Sequence, residues 1–212
     1  MKKNIFILYM LVSIQFIFAQ ETIEFADISP LKKSVLLSTE SFYPWETLFI
    51  YPLSSPPPTK TTVETDGQYY YVGSWNSPEI QKYGLCGTHI EEFTIPGVPH
   101  LKDLAYDGQY FYGGQANWND VLVMDFENQI CIDTISTSFA VRALAYNDDL
   151  DVFYGNNWGS DYIMVFEADG TIFDTIPLSL QTHPIQSFYG FAYDNWSAGG
   201  PYLWGFSQDG LN

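Results

Sequence analysis

Basic residues are scarce in this sequence. Its 212 residues include 8 lysines and arginines against 25 aspartates and glutamates, which gives a net charge of −17. Nucleic acid is therefore not an expected partner, because phosphate contacts need clustered lysine and arginine. Arg142 is the single arginine, so these residues cannot supply a sialidase-type site, in which several arginines hold a substrate carboxylate.

Cysteine and the familiar catalytic motifs are also in short supply. The two cysteines, Cys86 and Cys131, form no CxxC spacing, and the one CxxH spacing, Cys86 to His89, has no second pair of ligands beside it, so neither cysteine indicates a metal site. They fall at different places in their repeats, and the strict geometry of a disulfide makes free thiols the expected state. No GxSxG, HExxH or phosphate-loop pattern occurs. The sequence thus predicts no catalytic residue, no metal ligand and no cofactor.

One long apolar run is present, and it lies at the start of the chain. It spans residues 5–18, follows two lysines and precedes Ala19. This order is typical of a secretory signal peptide, and the run is short for a membrane span of about 20 apolar residues. We expect residues 1–19 to be a signal peptide and the protein to be secreted or displayed at the cell surface, with no membrane span after cleavage. Residues 20–46 are predicted to be an N-terminal extension.

Aromatic and β-branched residues, by contrast, are abundant and occur in repeats. "VETDGQYYYVGSW", "LAYDGQYFYGGQANW" and "LAYNDDLDVFYGNNW" are variants of one pattern. Aligned positions Thr65, Tyr106, Tyr146 and Tyr193 are separated by 41, 40 and 47 residues. A period near forty predicts either helical arrays or propeller blades, and short alternating runs of Tyr, Phe, Val, Ile and Thr favour strands.

Each repeat contains four such runs, and Asp-Gly between the first two is a strong hairpin signal. Four antiparallel strands per forty residues are typical of a β-propeller blade. We therefore predict an all-β fold, a partial β-propeller over residues 47–212. Its blades are expected near 63–103, 104–143, 144–187 and 188–212, the last incomplete. Phe49–Leu53 is predicted to be the outer strand of one more blade, so the ring is incomplete.

The segments "KDLAYDGQYFYGG", "VRALAYNDDLDVFYGNNW" and "FAYDNWSAGGPYLWGFSQDG" resemble secreted β-propeller segments of Bacteroidetes-type bacteria. The resemblance covers roughly residues 47–210, and its most specific part is Ala192–Gln208. Proteins of this kind often carry adhesin-like domains and a C-terminal sorting domain for type IX secretion. The resemblance implies export and adhesion, and it implies no catalytic residue.

Candidate ligand-binding residues follow from the blade topology. The turns between second and third strands and the linkers between blades open on one face of a propeller. These segments carry tryptophans, their neighbouring asparagines, and three basic residues: Trp75, Asn76, Asn117, Trp118, Asn157, Trp158, His100, Arg142 and His183. A flat apolar ring beside an amide suits a sugar or peptide ligand. The alternative is structural, because repeated tryptophans also pack blades together and asparagine also favours turns.

Three functions remain open from the sequence. The first is non-enzymatic binding or adhesion by a secreted propeller, with a glycan or protein as ligand. The second is a calcium-dependent lactonase or esterase, in which Glu, Asn and Asp side chains hold Ca²⁺ at the channel mouth and an Asp acts as base. Asn117, Asn157 and Asp103 are the candidate residues for such a site. The third is a spacer within a larger exported protein. The acidic stretch Asn147–Asp151 lacks the ligand spacing of an EF-type calcium loop and is predicted to be a surface turn.

Overall fold

The computed structural model describes residues 4–8, 50–53, 60–180 and 187–207, and every structural statement below concerns these residues. They contain fifteen strands and one short 3₁₀ helix, Leu178–Leu180. The strands are β1 Asn4–Leu8, β2 Lys60–Thr65, β3 Tyr69–Ser74, β4 Ile80–Gly84, β5 His89–Phe93, β6 Asp103–Tyr106, β7 Phe111–Gly114, β8 Asp120–Asp125, β9 Ile130–Ser136, β10 Ala143–Asn147, β11 Val152–Asn156, β12 Tyr162–Phe166, β13 Ile172–Pro177, β14 Phe188–Asp194 and β15 Tyr202–Ser207.

The strands form four sheets that follow the chain in order. Three of them are four-stranded antiparallel meanders, β2–β5, β6–β9 and β10–β13. The fourth contains the hairpin β14–β15, and β1 pairs in parallel with β15. The first strands β2, β6, β10 and β14 contact one another in sequence, and β6 also contacts β14. The predicted all-β arrangement of four-stranded blades is therefore confirmed, with the first strands around the centre.

The cores lie between neighbouring sheets and are rich in aromatic side chains. In the core between the first and second sheets, Phe111 and Phe126 of the second blade stack with ring centroids 4.0 Å apart. Tyr71 of the first blade meets Phe111 edge-on at 4.7 Å. Between the second and third, Tyr112 lies 4.6 Å from Phe153. Aromatic pairs at such distances add about 0.5–1.5 kcal/mol to what their buried area contributes. The Tyr and Phe rows of the repeat are thus mainly the packing between blades.

The turn that joins the first two strands of each blade explains why the repeat contains an Asp in the turn and a Tyr in the second strand. Oδ1 of Asp107 accepts hydrogen bonds from two backbone N–H groups of its own turn, at 2.7 Å each. Oδ2 accepts from the hydroxyl of Tyr112 on the second strand, at 2.7 Å. Asp66 makes the same contacts with its turn and with Tyr71. One carboxylate therefore closes the hairpin and anchors a core tyrosine.

The third and fourth blades keep this arrangement although their loops are longer. Asn147 accepts from two turn N–H groups through Oδ1 and donates from Nδ2 to the hydroxyl of Tyr154, at 2.9 Å. Asp194 accepts from its turn and from the indole Nε1 of Trp204, at 3.0 Å. The hydrogen-bonding role is conserved between blades while the length of the loop varies. This turn defines the lower face of the molecule.

One expectation is changed by the structure. Residues 50–53 do not form a strand; instead Tyr51 and Leu53 lie against the first sheet, beside Tyr70 and Tyr83. Phe49 lies outside the described residues, as do 20–46. Residues 50–53 therefore do not form the predicted outer strand, and Leu53 instead packs against the buried cluster of Tyr70, Val72 and Tyr83.

Other sequence features are placed without being tested. β1 lies within the segment expected to be a signal peptide. Cys86 is exposed and Cys131 half-buried, and both are free thiols. In the acidic stretch, Asp149 and Asp148 accept hydrogen bonds from Tyr193 and Asn195 of the next blade. None of the described residues forms a helix long and apolar enough to cross a membrane.

Candidate functional site

Loops and linkers meet on the face opposite to the Asp-Gly turns, which we call the upper face. It comprises the β3–β4, β7–β8 and β11–β12 loops and the linkers that lead into β6, β10 and β14. Backbone hydrogen bonds join loop to linker: the N–H of Val141 donates to the carbonyl of Trp118 at 3.1 Å, and that of Leu178 to the carbonyl of Asp161 at 2.9 Å. The β7–β8 and β11–β12 loops are therefore each held by the linker of their own blade.

Each of the three loops presents a tryptophan to solvent. The exposed fractions are 46% for Trp75, 51% for Trp118 and 56% for Trp158. Tryptophan is usually highly buried on average, so packing between blades accounts for only part of each side chain. The repeated position brings three half-exposed indoles to one face.

The asparagines beside these indoles differ from one another. Asn76 is exposed. Asn117 is exposed with a φ of 68°, a left-handed conformation that asparagine tolerates better than most residues, so its role includes turn geometry. Oδ1 of Asn157 is buried and has no hydrogen-bond partner among the described residues. The amides are therefore not equivalent, and Asn157 alone has a buried, unused acceptor.

The three basic residues predicted for this face have different outcomes. Arg142 lies over the ring of Tyr189, with Cζ 3.7 Å from the centroid, and over Trp158 at 5.3 Å. His100 is exposed, and its pKa is lowered by partial burial of the ring and by the positive charge of Lys102. His183 lies outside the described residues. Arg142 and His100 are thus on the upper face as expected.

Lys102 is a site residue that sequence reasoning missed. Its Nζ donates to the carbonyl of Trp75 at 2.7 Å and lies 4.9 Å from the Trp75 ring. Burial lowers the pKa of Lys102, and the positive charge of Arg142 lowers it further. A signal was available, because Lys102 and Arg142 both stand four residues before the aligned tyrosine of their blades. Tyr189 holds that place in the fourth blade.

Below the upper face, Asp103 of the second blade is hydrogen-bonded to the third and fourth blades. Its carboxyl is buried, and Oδ2 accepts hydrogen bonds from the backbone N–H groups of Leu144 and Phe191, each at 2.8 Å. These donors belong to β10 and β14, whose edges toward the centre pair with no other strand. The carboxylate of a β6 residue thus accepts hydrogen bonds that a neighbouring strand would otherwise accept. Burial raises the pKa of Asp103 well above its usual range, although those N–H groups oppose the shift.

A second carboxyl with a raised pKa, that of half-buried Glu64, lies on β2. It faces Tyr71 across the β2–β3 ladder, at the place that Ala105 and Ala145 hold in the next two blades. Oε1 accepts from the N–H of Thr65 at 2.8 Å. Burial raises the pKa of Glu64 to about 7, and the bond from Thr65 opposes that shift. A carboxyl with such a pKa exchanges its proton near neutrality.

The described residues contain no group of three His, Cys, Asp or Glu side chains placed to hold a metal ion. The carboxyl proposed for calcium, Asp103, already accepts two backbone hydrogen bonds. Asn117 and Asn157 belong to the loops above it. For the calcium-dependent hydrolase, the two candidate amides therefore lie in loops of the upper face, whereas the candidate carboxyl is already hydrogen-bonded to the inner strands β10 and β14.

Comparison with known proteins shows the fold and no more. No family model and no curated protein matches the sequence. Among solved structures, the chain is similar to glutaminyl cyclase of Myxococcus xanthus, with a TM-score of 0.54 and 14% identity over 69% of this chain and 67% of that one. The WD40 repeats of RRP9 give a TM-score of 0.46 and 15% identity over 71% of this chain and 43% of theirs. The chain thus spans less than half the length of that WD40 protein.

Proposed function

We propose that this chain is a non-enzymatic β-propeller, secreted or displayed at the cell surface, that binds a ligand with its upper face. The single observation that carries the proposal is the set of half-exposed indoles of Trp75, Trp118 and Trp158 on that face. Exposed aromatic clusters on a soluble protein usually mark interaction sites. An exported setting is supported by the signal-like residues 1–19 and by the resemblance to secreted Bacteroidetes-type propellers, which also points to adhesion and type IX secretion.

The ligand classes that fit are glycans and proteins. An indole offers a flat apolar surface with a hydrogen-bond donor at its edge, and this suits sugar rings as well as peptide side chains. The neighbouring amides add paired donors and acceptors. The net charge of −17 disfavours nucleic acid.

A glycan array and a peptide array, probed with the full chain, test this proposal. Trp118→Ala is expected to abolish or strongly weaken any signal. Trp196→Ala is the matched control, because Trp196 is 74% exposed but lies in the β14–β15 turn on the lower face. Equal loss from both variants, or no signal on either array, would reject ligand binding by the upper face and leave the spacer function.

A second candidate is a calcium-dependent lactonase or esterase. The observation that favours an enzyme is Glu64, because a half-buried carboxyl with a pKa of about 7 is suited to general acid–base catalysis. Turnover of a lactone or an aryl ester with Ca²⁺, lost in Glu64→Gln, would support it. A melting temperature unaffected by Ca²⁺ together with absent turnover would exclude it.

A further inference from the structure

The upper face concentrates positive charge in a protein that has little of it. Lys60 is influenced by Glu92 and Glu79, and Lys82 forms an ion pair with Glu91 at 3.5 Å. No carboxylate forms an ion pair with Lys102 or Arg142 among the described residues. These two cations stand at the same position of neighbouring blades, so the fold brings like charges together without a counter-charge.

The nearest acid in sequence does not neutralise them. Asp103 follows Lys102 directly, but its Oδ2 is occupied by the N–H groups of Leu144 and Phe191. No ion pair joins Asp103 to Lys102. Lys102 and Arg142 are close enough for the charge of Arg142 to lower the pKa of Lys102, and an anion bound between them would relieve this repulsion.

The same place contains buried hydrogen-bond donors without acceptors. Nε of Arg142 and Nε2 of Gln115 are buried and have no partner among the described residues, and Gln115 is 3% exposed. The two residues belong to adjoining segments, because a Cβ on Gly114 would lie 2.9 Å from the carbonyl oxygen of Val141 and 3.1 Å from that of Arg142. Buried polar groups nearly always have partners, so an acceptor is expected here.

Aromatic rings hold both cations in place. The guanidinium of Arg142 lies against Tyr189 and Trp158, while the ammonium of Lys102 is fixed by the carbonyl and the ring of Trp75. Stacking of this kind leaves the in-plane N–H groups of an arginine available, and a lysine has three donors, of which the carbonyl uses one. The cations are therefore preoriented and still able to bind an anion.

We propose that Lys102, Arg142 and Gln115 form an anion site at the centre of the upper face, and that it binds the carboxylate of an acidic sugar such as a uronic acid. The inference rests on the proposed ligand binding and narrows the ligand class. A carboxylate supplies the acceptors that the arginine and glutamine donors lack and the charge that the two cations need. The exposed indoles beside them suit a pyranose ring better than an extended peptide, which would need a sheet edge or a groove.

Isothermal titration calorimetry with oligogalacturonate, on the full chain, tests the site. We expect binding that weakens at least tenfold when NaCl is raised from 50 to 500 mM (about a threefold change in Debye length), and a loss of at least tenfold in Arg142→Gln. Arg142→Lys, which keeps the charge but not the planar donors, is expected to retain part of the affinity. Lys82→Met is the control, since Lys82 lies on the outer part of the first blade and is already paired with Glu91; it is expected to bind as the wild type does.

The other outcomes separate this inference from the proposed function. A neutral oligosaccharide that binds as tightly as oligogalacturonate, with affinity lost in Trp118→Ala but unchanged in Arg142→Gln, overturns the acidic-sugar site and leaves the binding face. A peptide that binds through its C-terminal carboxylate, while oligogalacturonate does not, overturns the sugar class. No binding of any of these ligands overturns both. Thermal melting of each variant shows that lost binding is not lost folding.

Discussion

Replacement of Glu64 by alanine should make the protein more stable at neutral and alkaline pH. In the other three blades an alanine occupies this place: Ala105, Ala145 and Ala192. The ring therefore accommodates the smaller side chain, and the glutamate is the exception. Partial burial disfavours the charged form of its carboxyl, which raises the pKa of Glu64 to about 7 from a usual 4.5.

The direction in which stability changes with pH follows from proton linkage. The folded state holds this proton more tightly than the unfolded chain does, so stability falls as pH rises from the unfolded pKa through the folded pKa. A rise from 4.5 to about 7 corresponds to about 3 kcal/mol at the alkaline limit. Between pH 5 and pH 8 the contribution changes by about 2.5 kcal/mol, an upper value because the side chain is only partly shielded from solvent.

Urea unfolding followed by circular dichroism at pH 5 and pH 8 measures this effect. The free energy of unfolding should fall more steeply with pH in the wild type than in Glu64→Ala, by up to about 2.5 kcal/mol across the interval. Glu127→Ala, which removes an exposed carboxylate from the β8–β9 turn, controls for the loss of one negative charge. Parallel pH dependences for the wild type and Glu64→Ala would refute the argument that this carboxyl is destabilised by burial.

Three further changes test the fold. Asp107→Ala should lower the free energy of unfolding in urea by about 1–3 kcal/mol, because it removes the acceptor for three hydrogen bonds. Asp107→Asn should lower it by less than about 1 kcal/mol, since Asn147 performs the same role in the third blade. Equal losses for the two variants would contradict the role assigned to Asp107 in the turn. Asp103→Ala should cost at least about 2 kcal/mol by leaving two buried N–H groups unpaired, and a melting temperature close to that of the wild type would show that the inner strands do not depend on it. Gly114→Ala should cost about 1–3 kcal/mol, because the new Cβ would lie 2.9 Å from the carbonyl of Val141; an unchanged unfolding midpoint would contradict that close approach.

The strands could be predicted from the sequence because the local signals agree with the fold. The second repeat contains short runs of apolar and aromatic residues between turn residues, and β6 Asp103–Tyr106 begins and ends where the first run does. Asp-Gly after a short strand predicted the hairpin, and Gly108 indeed adopts a φ of 100°. Period and turn chemistry are local properties, so one sequence is enough to recognise them.

The long-range bonds could not be predicted in this way. Asp103 contacts Leu144 and Phe191, which are 41 and 88 residues further along the chain. No local pattern indicates that a carboxylate on one inner strand will accept from the two that follow it. The same limit applies to residues 50–53, whose position depends on a sheet face that the local sequence does not describe.

The candidate site was predicted in part. The positions of the tryptophans and Arg142 on one face could be predicted because the blade topology sends their loops and linkers there. Lys102 and Gln115 were missed, since their importance lies in the absence of a nearby acid and of a hydrogen-bond partner. Such properties appear only when neighbouring blades are placed against one another.

The indole N–H signals of the tryptophans, followed by two-dimensional NMR during titration with oligogalacturonate, test the central claim most directly. Each indole is a separate reporter and can be assigned by single substitution. If the upper face is the binding surface, the signals of Trp75, Trp118 and Trp158 shift together with one dissociation constant, while that of Trp196 on the lower face stays in place. A shift of Trp196 without the other three would contradict the account, and so would no shift in any signal.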